Sequence, residues 1–524
     1  MVRRNPVQRS GNAMRRMPIQ ERRGARVVRP YPLPPPVGGW NARDALQSMS
    51  REDAVRLRNF FPRQSDVVTR PGFTEHCATG ATTSNIRQLI PFEYATNNKL
   101  IASTTTGIYD VTTSTPSTLA TGLVGGDWSF DYLGGLVLLA NGTDVVKSYN
   151  GSAISSPAFT GVTLSNLTHV CVYKSRAYFV EKNTQKMWYG GVSAVSGALT
   201  AFDFSQIAGV RGNLLFTSHL KGDGGDGGAD DVFVAMFQGG SALVYTGSNP
   251  GDSTNWSLIG HYRLGRPLGR LAYHRADDDL YVATNRGYMK FSEIVRFGDT
   301  APERMMSSNK IQQAVTDDIT KVGESLDWRM IVYPKQQMFI VTSPLSGSAR
   351  RYHVRNINTG AWCEFGDFLA YSWATLQGRI YFGGSGGKVY EFDSGLTDDG
   401  ITIRCDCQQA WSSMGAAGMT KQTQLIKPFL SGLAEPSMSV NVGADYAAIP
   451  LANFSSPDGA AEGSAWNDAV WDGGTWSYGD VAFARWYSRN AVGESIGLRI
   501  TMDAPEAQVR WNQTIILATY GGPL

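Results

Sequence analysis

Six histidines, His76, His169, His219, His261, His274 and His353, have the most scope for acid–base work or metal binding in this 524-residue chain. None sits in an H-E-x-x-H arrangement, and neither a G-x-S-x-G nucleophile turn nor a phosphate-cradling glycine loop occurs. His169, His274 and His353 fall inside strand-like apolar runs, where a histidine reads as a wall residue rather than a ligand. The five cysteines, Cys77, Cys171, Cys363, Cys405 and Cys407, are odd in number and scattered, with no C-x-x-C pair. They read as reduced core thiols. Cys405 and Cys407, two apart in a strand-like run, would share one face, and a metal pair there is the lesser reading.

Acidic side chains gather in Gly222-Asp-Gly-Gly-Asp-Gly-Gly-Ala-Asp-Asp, where Asp223, Asp226, Asp230 and Asp231 superficially resemble a calcium loop. Their spacing is not that of an EF-hand, whose ligands fall at positions 1, 3 and 5 with a bidentate Glu at 12, so a solvated hairpin loop is expected. Asp277-Asp278-Asp279 reads as a charged turn. Trp471-Asp-Gly-Gly-Thr-Trp-Ser echoes the aspartate box of sialidase-like propellers, but it lacks the leading serine, occurs once, and lies outside the repeats described below. Trp466, Trp471 and Trp476 recur every five residues, a period of neither helix nor strand. An extended loop anchored by its rings is expected, with a partner- or sugar-binding platform as the alternative. Nothing in these patterns asks for a cofactor or a metal, and the chain reads as a non-enzyme.

Charge is unevenly placed. Residues 1–30 carry nine arginines (Arg3, Arg4, Arg9, Arg15, Arg16, Arg22, Arg23, Arg26 and Arg29) against Glu21 alone. The remainder has 39 basic and 44 acidic residues, a mildly acidic body. Without interleaved aromatics the arm does not read as a dedicated nucleic-acid binder; a solvated tail and an arm that orders on an acidic neighbour both fit. No apolar stretch follows it as in an export signal, and the longest apolar run, 133–140, is too short to span a bilayer. The expectation is synthesis in a cytoplasm without export or stable membrane insertion.

The elements that must position these residues read as mainly β. Glycine (58) outnumbers proline (23) and only 18% of residues are charged, which favours short strands joined by glycine turns. Pro30-Tyr31-Pro32-Leu33-Pro34-Pro35-Pro36 predicts a stiff polyproline spacer. Ser50 and Asp53 form a capping box, and Ala54, Leu57 and Phe60 or Phe61 fall three or four apart, which predicts one short helix at 51–61.

From residue 86 a three-strand unit recurs seven times, its second strands starting at Leu100, Leu136, Ala177, Val232, Leu280, Met338 and Ile380, about 47 residues apart. Sheets with two apolar faces bury both only between neighbours, so the array predicts a β-propeller of about seven blades, six or eight being allowed, with a hairpin sandwich as the alternative. After Asp398-Asp399-Gly400 longer alternating strands (425–430, 437–442, 496–502, 509–517) predict a β-sandwich or barrel. The expected division is 1–38 arm and spacer, 39–80 short helix and lead-in, 81–398 propeller, and 399–524 C-terminal β domain with the tryptophan loop.

Three stretches carry a family resemblance: Gly39-Trp-Asn-Ala-Arg-Asp-Ala-Leu with Asp53-Ala-Val-Arg-Leu-Arg-Asn-Phe-Phe-Pro and Arg70-Pro-Gly-Phe; Asn358-Thr-Gly-Ala-Trp-Cys-Glu-Phe with Ile380-Tyr-Phe-Gly-Gly and Val389-Tyr-Glu-Phe-Asp-Ser-Gly; and Arg485-Trp-Tyr-Ser-Arg-Asn with Val509-Arg-Trp-Asn. From about residue 33 onward the chain resembles the tail nozzle proteins of short-tailed bacteriophages, also described as tail hub or packaged-DNA stabilisation proteins. The resemblance implies a structural protein of the virion tail, assembled in the host cytoplasm as a ring of typically six copies. Its implied partners are a portal-proximal adaptor, needle, fibre or spike proteins, and genomic DNA that slides through without sequence-specific binding. The alternative is a carbohydrate-binding or glycan-degrading tail propeller.

Overall fold

The computed structural model describes residues 28–220, 231–276, 279–297, 308–451, 454, 481–504 and 508–521. Each of the seven apolar units becomes an antiparallel meander, because its strands are short, apolar and separated by turn residues. The turn between Ser129–Leu133 and Leu136–Ala140 shows the local logic: Gly134 and Gly135 both take positive φ (58° and 76°), as a two-residue hairpin requires. A Cβ on Gly135 would also meet the Tyr94 ring of the neighbouring meander at 2.9 Å.

Six meanders form a six-blade propeller arrangement. Blades 1 to 4 span 88–121, 129–155, 167–203 and 214–263 with four strands each, and blade 5 spans 273–290 with three. Blade 6 joins three strands within 372–392 to Phe73–Ala78, which comes from far earlier in the chain and supplies the outer strand. The count is one below the number of repeats because the unit at 329–365 does not end as a free-standing sheet. Its first strand, Arg329–Tyr333, packs between the first strands of blades 5 and 6. Its last strand, Trp362–Phe365, runs on into a nine-stranded sheet.

That sheet continues through Asp53–Arg58, Arg404–Gln409, Ile496–Asp503 and Ser437–Ala444. An eight-stranded sheet built around Lys421–Gly432 and Arg510–Tyr520 packs against it. Cys405, Cys407, Ile500 and Met502 from the first sheet share one core with Ile426, Trp511, Ile516 and Ala518 from the second. All five cysteines are buried and unbridged, as expected of core thiols.

Three expectations for the first 80 residues are corrected. The helix expected at 51–61 is two strands, Asp53–Arg58 and Phe60–Pro62. Pairing with Arg404–Gln409 shifts register between Ala54 and Arg56, so an extra residue separates the buried Ala54 and Leu57 and gives a helix-like interval of three. Tyr31 and its prolines form no free spacer: Val28–Leu33 is a strand along Arg510–Tyr520, where Pro30 and Pro32 are tolerated because the strand lies at an edge. The lead-in therefore does not precede the propeller as a separate piece. Asp53–Arg58, Phe60–Pro62 and Val67–Thr69 complete the two C-terminal sheets. Among the described residues, the helices Phe291–Phe297 and Gln312–Val322 lie between blade 5 and the 329–365 meander in the chain.

Candidate functional site

Along the propeller axis lies a cavity of about 270 Å³ bounded by the first strands of several blades, with Gln88, Ser129, Tyr273, Arg275, Arg329 and Trp373 among its walls. Among the described residues no aspartate or glutamate lines it. His169, Tyr273 and Arg275 draw the blades together: His169 Nε2 lies 2.7 Å from the Tyr273 hydroxyl, and Arg275 pairs with Asp131 of blade 2 at 3.1 Å. Burial pushes the neighbouring His274 down to about 4, keeping it neutral.

Ion pairs cluster at the heads of the first strands. Asp127 accepts from Arg87 at 2.8 Å and from Arg329 at 2.9 Å, while Asp327 holds Arg87 at 2.8 Å and Arg350 at 3.0 Å. Arg350 also lies over the Tyr371 ring, 4.7 Å from its centroid. Arg270 reaches from the start of blade 5 to the carbonyls of Thr168 (3.1 Å), Asp127 (2.8 Å) and Asn141 (3.2 Å), and burial lowers its guanidinium to about 10. These groups link six meanders: blades 1, 2, 3, 5 and 6 and the 329–365 unit.

A second concentration of polar contacts welds propeller to sandwich. Asn59, at φ 57°, lies between two strands and acts as a hub. Its side chain donates to Asp367 (2.9 Å) and to the Arg404 carbonyl (2.8 Å), and accepts from Arg70 (3.0 Å) and the Gly366 amide (2.9 Å). Arg70 is fully buried and grips Asp398 with both terminal nitrogens, at 2.8 and 2.5 Å, while donating to the carbonyls of Pro71 and Gly366. Its guanidinium lies 5.1 Å over the Phe368 ring. Beside this knot opens a pocket of about 280 Å³ floored by Phe73, Phe368, Phe382 and Tyr390.

A third cluster has the residue types of a catalytic relay in the wrong order. His353 Nδ1 lies 2.7 Å from the Tyr288 hydroxyl and its Nε2 3.4 Å from Asp318, while Ser343 donates to Asp318 at 2.8 Å. The serine is bonded to the acid rather than to the imidazole, and Ser343, Asp318 and His353 are all fully buried. The cluster clamps helix Gln312–Val322 to the 329–365 meander. Burial raises the Asp318 carboxyl, but His353, Arg351 and Ser343 outweigh it and hold the group below its ordinary value. A carboxyl depressed on folding stabilises above its unfolded pKa and loses that contribution as pH falls through the folded one. Asp318→Asn is expected to cost about 1–3 kcal/mol at pH 7. The gap to wild type should narrow below about pH 4, read as urea midpoints at pH 7 and pH 3.

Of the residues the sequence singled out, Arg29 is described: it starts an exposed edge strand, with its guanidinium 6.0 Å from the Tyr520 ring centroid. Arg3, Arg4, Arg9, Arg15, Arg16, Arg22, Arg23, Arg26 and Trp466, Trp471, Trp476 lie outside the described residues, as do Asp223, Asp226, Asp230, Asp277 and Asp278. Asp279 is no solvated turn residue: it is buried and accepts from the Ser292 amide at 3.1 Å. Among the described residues no group of histidine, cysteine or acidic side chains could hold a metal, and no helix is long and apolar enough to cross a membrane.

Sequence reading missed the axial ions, although a signal existed. Asp127-Trp128 and Asp327-Trp328 repeat one dipeptide at the head of two units, and Arg87 and Arg270 precede two more.

No family model matches the sequence, and no curated protein matches it. Among solved structures the chain is similar to the computationally designed Ika8 protein, with 10% identity and a TM-score of 0.36 over 61% of this chain and 99% of that one. It is also similar to a domain described as extracellular, from a protein described as a hybrid two-component system of B. thetaiotaomicron, with 9% identity and a TM-score of 0.41. That alignment covers 64% of this chain and 41% of the other, so the chain spans less than half of that structure.

Proposed function

We propose that the chain is a wall subunit of the tail channel of a short-tailed bacteriophage, a nozzle protein that retains packaged DNA and conducts it during ejection, without catalysis. The observation that carries this reading is where the nozzle-like stretches meet. Asp53–Arg58 pairs with Glu364, Asn356 donates to the Pro62 carbonyl at 3.0 Å, and Arg70 anchors on Asp398 just past the 389–395 stretch. The Thr69 amide donates to the Val509 carbonyl at 3.0 Å, the Val509 amide donates to the Thr69 hydroxyl at 3.1 Å, and Trp511 packs on Phe60 at 6.2 Å. Residues that resemble one structural family thus form the joint between two β bodies, where a wall element under load needs stiffness.

In this reading DNA passes between copies arranged in a ring, six in the proposed assembly, and not through a propeller. With 39 basic and 44 acidic residues beyond the arm, acids facing such a lumen would repel phosphate and let DNA slide, whereas a basic lining would retain it by counterion release. Adaptor above and needle, fibre or spike proteins below are the proposed neighbours, in a virion tail assembled in the host cytoplasm. Cryo-electron microscopy of particles encoding this chain tests the reading. A collar of its density around the tail axis is the expected result; its absence from virions, or a peripheral position, would overturn it.

A further inference from the structure

The pocket beside the Arg70 knot has the chemistry of a guanidinium site. Its floor is a cluster of rings: Phe73 meets Phe382 edge-on at 5.0 Å and Tyr390 at 5.2 Å, and Phe382 and Tyr390 stack at 5.0 Å. Ring faces attract cations, arginine more than most, and the attraction grows where water is excluded. The pocket already tolerates such a group from within, since Arg70 lies over Phe368.

The rim supplies carboxylates with unequal commitments. Asp398 belongs to Arg70, and Asp367 is shared by Arg58 at 2.7 Å and Asn59. Asp399 is exposed; its carboxylate accepts a 3.3 Å bond from the Glu75 amide and its charge also acts on Lys388, which is itself paired with Glu75. Arg404, the basic side chain on the rim, is turned to Asp503 by bonds of 2.7 and 3.0 Å. Ile401, 71% exposed, adds apolar surface beside Asp399.

The sequence holds one segment of matching chemistry: residues 1–30, with nine arginines against one acid. Twenty-seven residues precede Val28, an extended reach of up to about 90 Å, enough to cross onto an adjacent molecule. We infer that this pocket receives an arginine from the N-terminal arm of a second copy, so that arm and pocket tie neighbouring copies head to tail. The inference takes its second copy from the ring proposed above, but its test uses purified chain, so it can fail while virion placement stands.

Sedimentation velocity of the full chain at low salt is the test. Wild type should self-associate, and association should weaken with salt. Asp399→Asn keeps the side-chain shape and suits the positive φ of 50° at that position, so the fold is preserved while the rim charge is lost. Association should weaken at least fivefold. Ile401→Gln, at an exposed position, should weaken it in the same direction. A chain with all nine arm arginines changed to alanine should be equally impaired. Mixing that chain with Asp399→Asn should restore pairs, because one brings an intact pocket and the other an intact arm. A monomeric wild type overturns the inference, as does a loss confined to the arm variant or to the pocket variants, or a mixture that stays monomeric.

Discussion

Replacing Arg70 with methionine is expected to lower the free energy of unfolding by about 3–5 kcal/mol, among the largest single effects available in this molecule. The reason is what the substitution leaves behind. Asp398 loses a bidentate partner at a buried position, and the Asn59 carbonyl oxygen and the carbonyls of Pro71 and Gly366 each lose a donor. The net worth of the pair itself is smaller, because both ions were desolvated to make it. Arg70→Met combined with Asp398→Leu should therefore recover a good part of the loss, and the two single changes should be strongly non-additive. Urea unfolding followed by tryptophan fluorescence gives the comparison. Additive effects would mean that the two residues do not form the unit described.

How much of this was legible beforehand follows from which forces act locally. The repeat was readable because each meander carries its own alternation and turns; the second strands expected from Leu100 to Ile380 all exist as strands. Cys405 and Cys407, expected as core thiols, are buried in the sandwich. Failure came where long-range pairing decides. Asp53–Arg58 has helix-like spacing because of a bulge against a strand some 350 residues later, and no window of sequence contains that partner. Pro30 and Pro32 signalled polyproline because their pairing with Leu517 and Ile515 is equally remote. The number of blades departs from the number of repeats for the same reason: Trp362–Phe365 is coded like any outer strand, and its fusion to the sandwich is decided by Asp53–Arg58. The axial ions were invisible one at a time and would have shown only by aligning the units on their first strands.

Blade 6 carries the second large effect. A ring of blades has no covalent closure, so one strand from each end of the array must share a sheet, at the entropic cost of closing a loop of some 300 residues. Here the strand is Phe73–Ala78, which pairs with Lys388–Phe392, and Phe73 sits opposite Phe392 while its ring touches Phe368, Phe382 and Tyr390. Phe73→Ala should cost about 3–5 kcal/mol, the range for deleting a buried aromatic side chain. Phe73→Leu, which keeps most of the volume, should cost under about 1.5 kcal/mol. The loss should also be local in character. Amides of Lys388–Phe392, the strand that Phe73–Ala78 covers, are expected to exchange with solvent far faster in Phe73→Ala, while those of blades 3 and 4, on the other side of the ring, keep their protection until global unfolding. Uniform acceleration across all blades would show instead that the propeller opens only as a whole, and that Phe73–Ala78 is one contact among many rather than the clasp.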